Sequence, residues 1–179
     1  DPSGIEVIDD LLYVADTGND RILKLTIEGV AMGQITGSEG DLAEAVDVAV
    51  DSRNRVYALD QKSKIVIVFN SNGMPAARIG APVGDGPSLD SPGGIAVDKY
   101  GCLYVADTGN GKLKKYDATG ALVSSAGSKG TGPGQFLEPV SIAIDRSNRP
   151  VVLDAEKNTL QIFTTERGAL KELTEASPL

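Results

Sequence analysis

Leu103-Tyr-Val-Ala-Asp-Thr-Gly-Asn110 decides the fold, because the chain holds it twice: Leu12-Tyr-Val-Ala-Asp-Thr-Gly-Asn19 repeats it residue for residue. Working outward, the stretch before each copy also matches, Gly4-Ile-Glu-Val7 against Gly94-Ile-Ala-Val97. Two diluted copies complete the set. One joins Val48-Ala-Val-Asp51 to Val56-Tyr-Ala-Leu-Asp60, the other Ile142-Ala-Ile-Asp145 to Val151-Val-Leu-Asp154. The closing aspartates fall at 16, 60, 107 and 154, so one unit of about 47 residues occurs four times.

Each copy reads as four short strands. The first covers residues 4–8, 46–50, 94–97 and 140–144, and the second 11–15, 56–59, 102–106 and 150–153. The third covers 21–26, 64–69, 112–116 and 159–164; the fourth covers 33–36, 76–79, 122–126 and 169–173. The last of these also reads as a helical tail, since its residues favour helix. Between first and second strands, Asp51-Ser-Arg-Asn54, Asp98-Lys-Tyr-Gly101 and Asp145-Arg-Ser-Asn148 set a carboxylate to accept backbone N–H groups and a Gly or Asn for a left-handed residue. The first copy has only Asp9-Asp10 there, so its hairpin should differ. Short turns make consecutive strands antiparallel neighbours. Ile65-Val-Ile-Val-Phe69 is apolar on both faces, so its sheet must be covered twice, and no helices are at hand to do it. Neighbouring copies must cover one another, which predicts an all-β propeller of four-stranded antiparallel blades. Blades are expected at 1–37, 42–80, 89–127 and 136–174 of a single domain, either a closed four-bladed ring or part of a larger propeller.

Composition narrows the function. The chain carries 17 basic and 25 acidic residues, a formal net charge of −8, and its basic residues are scattered. Such a field opposes phosphate backbones, so no nucleic-acid partner is expected. The nearest basic cluster, Lys112, Lys114 and Lys115, reads as a solvated outer face. Cys102 is the single cysteine, so there is no intrachain disulfide, and it reads as a small buried hydrophobe. No 18-residue apolar run occurs, so no membrane insertion is expected. The chain starts at Asp1 with no signal-like segment, which suggests a processed or partial chain. Compartment stays open, with an extracytoplasmic one slightly favoured. Gly127-Ser-Lys-Gly-Thr-Gly-Pro-Gly134 lacks the Gly-Lys-Ser/Thr of a phosphate loop and reads as a link between blades. With no tryptophan and few aromatic residues, sugar binding is disfavoured.

Pro92-Gly-Gly-Ile-Ala-Val-Asp98, Leu103-Tyr-Val-Ala-Asp-Thr-Gly-Asn110 and Gly132-Pro-Gly-Gln-Phe136 with Pro139 together resemble the NHL repeat. The resemblance covers nearly the whole chain and is weakest where the turn becomes Asp60-Gln-Lys-Ser63 or Asp154-Ala-Glu-Lys157. It implies a typically six-bladed propeller whose first strands line the central channel. Family members include binding scaffolds, RNA-binding regulators, sensor domains of receptor kinases and a peptidyl-amide lyase. The lyase type uses a histidine-built zinc site, and this sequence contains no histidine. The same absence removes Ser-His-Asp and Cys-His nucleophiles. RNA-binding members carry a basic face, which this acidic chain lacks.

Propeller geometry places the turns between second and third strands on one face with the blade-to-blade links 36–45, 81–92 and 127–139. Asp16, Asn19, Asp60, Asp107, Asn110 and Asp154 should therefore rim that face. They suit a partner's basic patch or a hard cation such as Ca²⁺, which prefers carboxylate and carbonyl oxygens. Recurrence in every copy favours instead a structural role, with each aspartate folded onto its own turn or onto Arg21 and Lys112. Departures from the repeat carry more information. Asp47 and Ser141 replace Gly4 and Gly94 at the channel mouth, Asp47 near Glu44; Glu6 replaces Ala49, Ala96 and Ala143 inside the first strand.

Two functions follow as expectations. The first is a non-catalytic binding, scaffold or sensor module for a protein or small ligand, needing no cofactor, with self-association if the ring is incomplete. The alternative is a lactonase-like or other metal-assisted hydrolase, calcium-dependent, using Glu6 and Asp47.

Overall fold

The computed structural model describes residues 1–37, 42–80, 88–166, 168–172 and 177–178. Parts of the expected links 36–45 and 81–92, and residues 173–174 of the fourth blade, lie outside the described residues. Four sheets account for the chain. The first runs β1 (Pro2–Ile8), β2 (Leu11–Asp16), β3 (Arg21–Thr26), β4 (Ala31–Ile35), and the second β5 (Ala45–Val50), β6 (Val56–Asp60), β7 (Ile65–Phe69), β8 (Pro75–Ile79). The third runs β9 (Gly94–Val97), β10 (Leu103–Asp107), β11 (Lys112–Tyr116), β12 (Leu122–Ala126). The fourth runs β13 (Pro139–Ile144), β14 (Pro150–Asp154), β15 (Thr159–Glu166), β16 (Ala169–Glu172). Every pairing within them is antiparallel and joins sequence neighbours, as short turns require. These sheets are the four propeller blades, and among the described residues the only helical turns are single 3₁₀ turns at Thr17–Asn19 and Thr108–Asn110. The chain divides into two compact units, Asp1–Ser88 and Leu89–Leu179, each holding two blades.

Turn chemistry follows the residues. Asp51 Oδ1 accepts the N–H groups of Arg53 and Arg55, both at 2.9 Å, and Asp98 and Asp145 repeat the arrangement in their own hairpins. Asn54, Gly101 and Asn148 take the left-handed conformation that the bulged turn needs. Asp9 and Asp10 both have positive φ, 47° and 62°, and Ile8 pairs directly with Leu11. That is a two-residue type I′ hairpin, tighter than its three counterparts.

Inside each unit one blade packs on the next. Tyr13, Ala15 and Ile22 of the first lie in one cluster with Val48, Val50, Val56, Ala58, Ile67 and Phe69 of the second. In the second unit Tyr104, Ala106 and Leu113 meet Ile142, Val152 and Phe163, together with Phe136 of the intervening link. All five residues of β7 are buried, as its two-faced apolar pattern demands. Two glycines let the blades approach. A Cβ on Gly4 would stand 2.6 Å from Asp47 Cα, and one on Gly93 would stand 2.9 Å from Val140 Cα.

The structure corrects one expectation. Lys114 and Lys115 are not on a solvated face: they are 2% and 7% exposed. Lys114 Nζ lies 2.7 Å from Asp107 Oδ2, and the Lys115 ammonium sits 5.5 Å above the Tyr104 ring. Register is the cause, since antiparallel pairing from Asp107↔Lys112 turns Lys114 to the same face as Asp107. Cys102 is half-buried against the second unit's core, where burial first and the Asp98 charge second raise its thiol pKa. Residues 169–172 are strand rather than helix, because β16 pairs with a β15 eight residues long. Ser177–Pro178, here β17, pairs with Thr159 and Leu160 further along β15.

Candidate functional site

The carboxylate that closes each second strand is held by its own surroundings. Asp60 Oδ2 accepts the N–H groups of Ala43 (2.6 Å) and Glu44 (2.9 Å), and Oδ1 accepts that of Ser63 (2.7 Å). Asp154 repeats this with Leu137 (2.8 Å), Glu138 (3.0 Å) and Lys157 (3.0 Å). Both are fully buried. Burial alone would raise the Asp60 pKa, but the backbone donors outweigh it and hold the group below the usual carboxylate range. Asp107 takes the Asp90 N–H (2.7 Å), the Asn110 amide (2.8 Å) and the Lys114 ammonium. Asp16 takes the Asn19 amide and, at 2.8 Å, Arg21 Nε; the Arg21 hydrogen bond is the main cause of its lowered pKa. Asp16, Asn19, Asp60, Asp107, Asn110 and Asp154 thus sit where the repeat puts them, at the junction of turn and link. The ammonium beside Asp107 is that of Lys114 rather than Lys112.

Thr17 and Thr108, the threonines of the strong motif, add a second use of that turn. Their hydroxyls donate to Ala45 O (2.7 Å) and Pro139 O (2.5 Å), the first residues of the next blade. Motif and blade junction are therefore one device.

The departures from the repeat lie on first strands. Register sets Glu6 opposite Tyr13, as Ala49 is opposite Tyr57 and Ala96 opposite Tyr104. The Glu6 carboxyl is partly buried, and its pKa is raised, first by burial and then by the negative charge of Asp47. The structure thus brings these two carboxylates into electrostatic reach of each other within the first unit. The Val48 N–H donates to Asp47 Oδ1 at 2.9 Å, while the main chain of nearby Glu44 serves Asp60. Ser141 is exposed on β13, just after a bulge in its pairing with β14.

Sequence reasoning missed a further pairing. Tyr57 and Tyr104 hydroxyls donate to the hairpin carboxylates Asp51 (3.4 Å) and Asp98 (3.1 Å). Burial pushes the Tyr57 hydroxyl up to about 12, and burial followed by the Asp98 charge pushes that of Tyr104 higher still. The recurrence of Tyr six residues after Asp in the second and third copies was the available signal. Two surface clefts also occur. One of about 220 Å³ is lined by Tyr13, Lys24, Gln34, Asn54 and the 70–73 turn; the other, about 580 Å³, by residues 131–133, Leu137, Glu156, Lys157 and Thr159. Neither includes Glu6 or Asp47. Among the described residues no three His, Cys, Asp or Glu side chains are grouped to hold a metal ion. No helix among them is long and apolar enough to cross a membrane.

Comparison with known proteins fixes the class. Residues 88–175 match the family described as "6-bladed beta-propeller". Over 108 residues the chain is 31% identical to mouse NHL repeat-containing protein 3 and 29% identical to its human counterpart. Each match covers 56% of this chain and 31% of the relative. Among solved structures, a streptogramin B lyase superposes with TM-score 0.74 at 17% identity, covering 99% of this chain and 54% of the lyase. A candidate 6-phosphogluconolactonase from Bacteroides uniformis gives 0.72 at 14%, and the RRP9 WD40 repeats 0.72 at 13%; each covers 99% of this chain, and 55% and 53% of those chains. These are likenesses of fold. The class is the β-propeller. Its repeats are similar to those of the NHL repeat-containing relatives, and the chain spans about a third of the length of the curated relatives it matches.

Proposed function

We propose that the chain is a non-catalytic interaction module, a rigid propeller surface that engages a protein partner or a small ligand. The observation that carries this reading is the commitment of all four repeat carboxylates to their own turns and links. Beside these turns each unit presents instead exposed side chains that differ from copy to copy: Asp20 and Lys62 in the first, Glu138 and Glu156 in the second. A fixed backbone with variable loops is how scaffolds carry recognition. Propeller chains of similar fold occur in assemblies, one of them the mitotic checkpoint complex, with TM-score 0.71. Capture on the immobilised chain, run beside a Lys62→Glu/Glu156→Lys variant, tests the reading. A partner retained at moderate salt and lost by the variant is expected. Equal capture by both, or none across salt conditions, counts against it.

A second reading rests on Glu6. A carboxyl whose pKa is raised by burial and then by the charge of Asp47 is the kind of asymmetry that acid–base hydrolysis uses. Glu6 would serve as general acid, with Asp47 and backbone carbonyls offering oxygen ligands for Ca²⁺. Calorimetric calcium titration of the native chain and of Glu6→Gln discriminates: heat that the variant loses favours hydrolysis, and no heat from either removes it.

A further inference from the structure

The cleft beside Tyr13 lies between the first and second blades, at the strand ends opposite the turns that hold Asp20 and Lys62. The junction of the third and fourth blades shows what the repeat puts in that place. There the buried Asp98 carboxylate, in the hairpin between β9 and β10, accepts two side chains on Oδ2. They are the Tyr104 hydroxyl (3.1 Å) and the Asn148 amide of the next blade (3.4 Å). Lys115, paired across the strands with Tyr104, holds its ammonium 5.5 Å from the centre of the same ring. A carboxylate thus meets a phenol and an amide beside a cation.

The first unit keeps the donors and lacks the acceptor. Tyr13 and Lys24 repeat the Tyr104–Lys115 pair, again with the ammonium 5.5 Å from the ring centre. Asn54 repeats Asn148 in its place in the turn and in its left-handed backbone, with φ 58° against 61°. The acceptor is missing because the first hairpin has only the two residues Asp9 and Asp10, whose exposed side chains do not line the cleft. Tyr13 is 2% exposed, yet among the described residues nothing accepts its hydroxyl or pairs with the Asn54 amide. Where the carboxylate would be there is a cavity of about 220 Å³, lined by Tyr13, Lys24 and Asn54 and by no acidic residue. Glu6, opposite Tyr13 on β1, also lies outside it. A single water needs only about 10–15 Å³ of such space, so a molecule of several heavy atoms can enter.

We infer that this cavity binds a small organic carboxylate, which takes the place that Asp98 fills at the other junction. Its oxygens accept the Tyr13 hydroxyl and the Asn54 amide, and Lys24 supplies the opposite charge. Hydrogen bonds to a charged acceptor are the stronger kind, and the cleft walls shield them from solvent. The net charge of −8 repels anions at a distance, so affinity rests on these short contacts and a doubly charged anion is disfavoured.

Titration of the isotope-labelled 179-residue chain with sodium acetate, at ionic strength held constant with sodium chloride, tests this by nuclear magnetic resonance. Saturating shifts are expected in the amide signals of Asn54 and the 70–73 turn, with a melting temperature that rises alongside. Tyr13→Phe removes one oxygen that no described residue uses, so the fold should persist while acetate binding weakens about tenfold. Lys24→Met should weaken it at least as much. Should either variant fail to fold, Asn54→Asp keeps a residue that tolerates the left-handed turn and sets a fixed negative charge in the cleft, which should abolish binding. Three results overturn the inference: shifts that never saturate, folded variants that bind acetate as tightly as the native chain, or inorganic phosphate binding as tightly as acetate.

Discussion

At the residue scale, the chain depends on carboxylates enclosed by donors. Asp60 illustrates the pH consequence. Its folded pKa lies below the unfolded value near 4, so its contribution is complete above that pH and is lost as pH falls through the folded pKa. Asp60→Asn keeps the shape but presents an amide to three backbone N–H groups. Urea unfolding at neutral pH should show a loss of about 2–4 kcal/mol, and the gap to wild type should narrow at pH near 3. Lys114 makes the complementary case. Removing it as Lys114→Met leaves Asp107 buried without its cation, and denaturation should register a loss of about 3–5 kcal/mol. The double change Asp107→Asn/Lys114→Met should recover part of it. The sequence shows a triplet of lysines within four residues, which reads as solvated. Only the register reveals that the middle one shares a face with Asp107. By contrast the repeat aspartates were legible as structural, because a residue present in all four copies answers to the fold.

At the element scale, the motif is a joint. Thr108 donates to the carbonyl of Pro139, and a Cβ on Gly93 would stand 2.9 Å from Val140 Cα, so the entry to the first strand and the turn after the second strand of one blade meet the first strand of the next. Gly93→Ala should force main chain from main chain. A cost of about 1–3 kcal/mol is expected in thermal or urea unfolding, with the fold retained. Strand positions were readable because apolar runs and turn residues alternate on a fixed period. The end of the repeat was less readable: residues 169–172 favour helix by composition, yet the open edge of β15 draws them into pairing. Glu6 was visible as a departure from alanine, but the burial that chiefly raises its pKa, and the charge of Asp47 from another blade that adds to it, cannot be read along the chain.

At the scale of the whole molecule, the absence of histidine has a global effect. No side chain with an ordinary pKa titrates between about pH 6 and 8, and the lone thiol is shifted upward by burial. The melting temperature should be flat over that interval and fall below about pH 4, where the unfolded chain's carboxylates take up protons that folded Asp60 resists. Differential scanning calorimetry across pH checks this, and a steep slope near neutrality would contradict it.

The Asp9–Asp10 bend has a practical meaning for anyone redesigning the chain. Its geometry is the one for which asparagine followed by glycine is the best-suited pair, yet two like charges occupy it. Replacing them by Asp9→Asn with Asp10→Gly would relax torsion and repulsion together while leaving every packed surface alone. The hairpin that is tighter than its three counterparts is thus also one that substitution can ease.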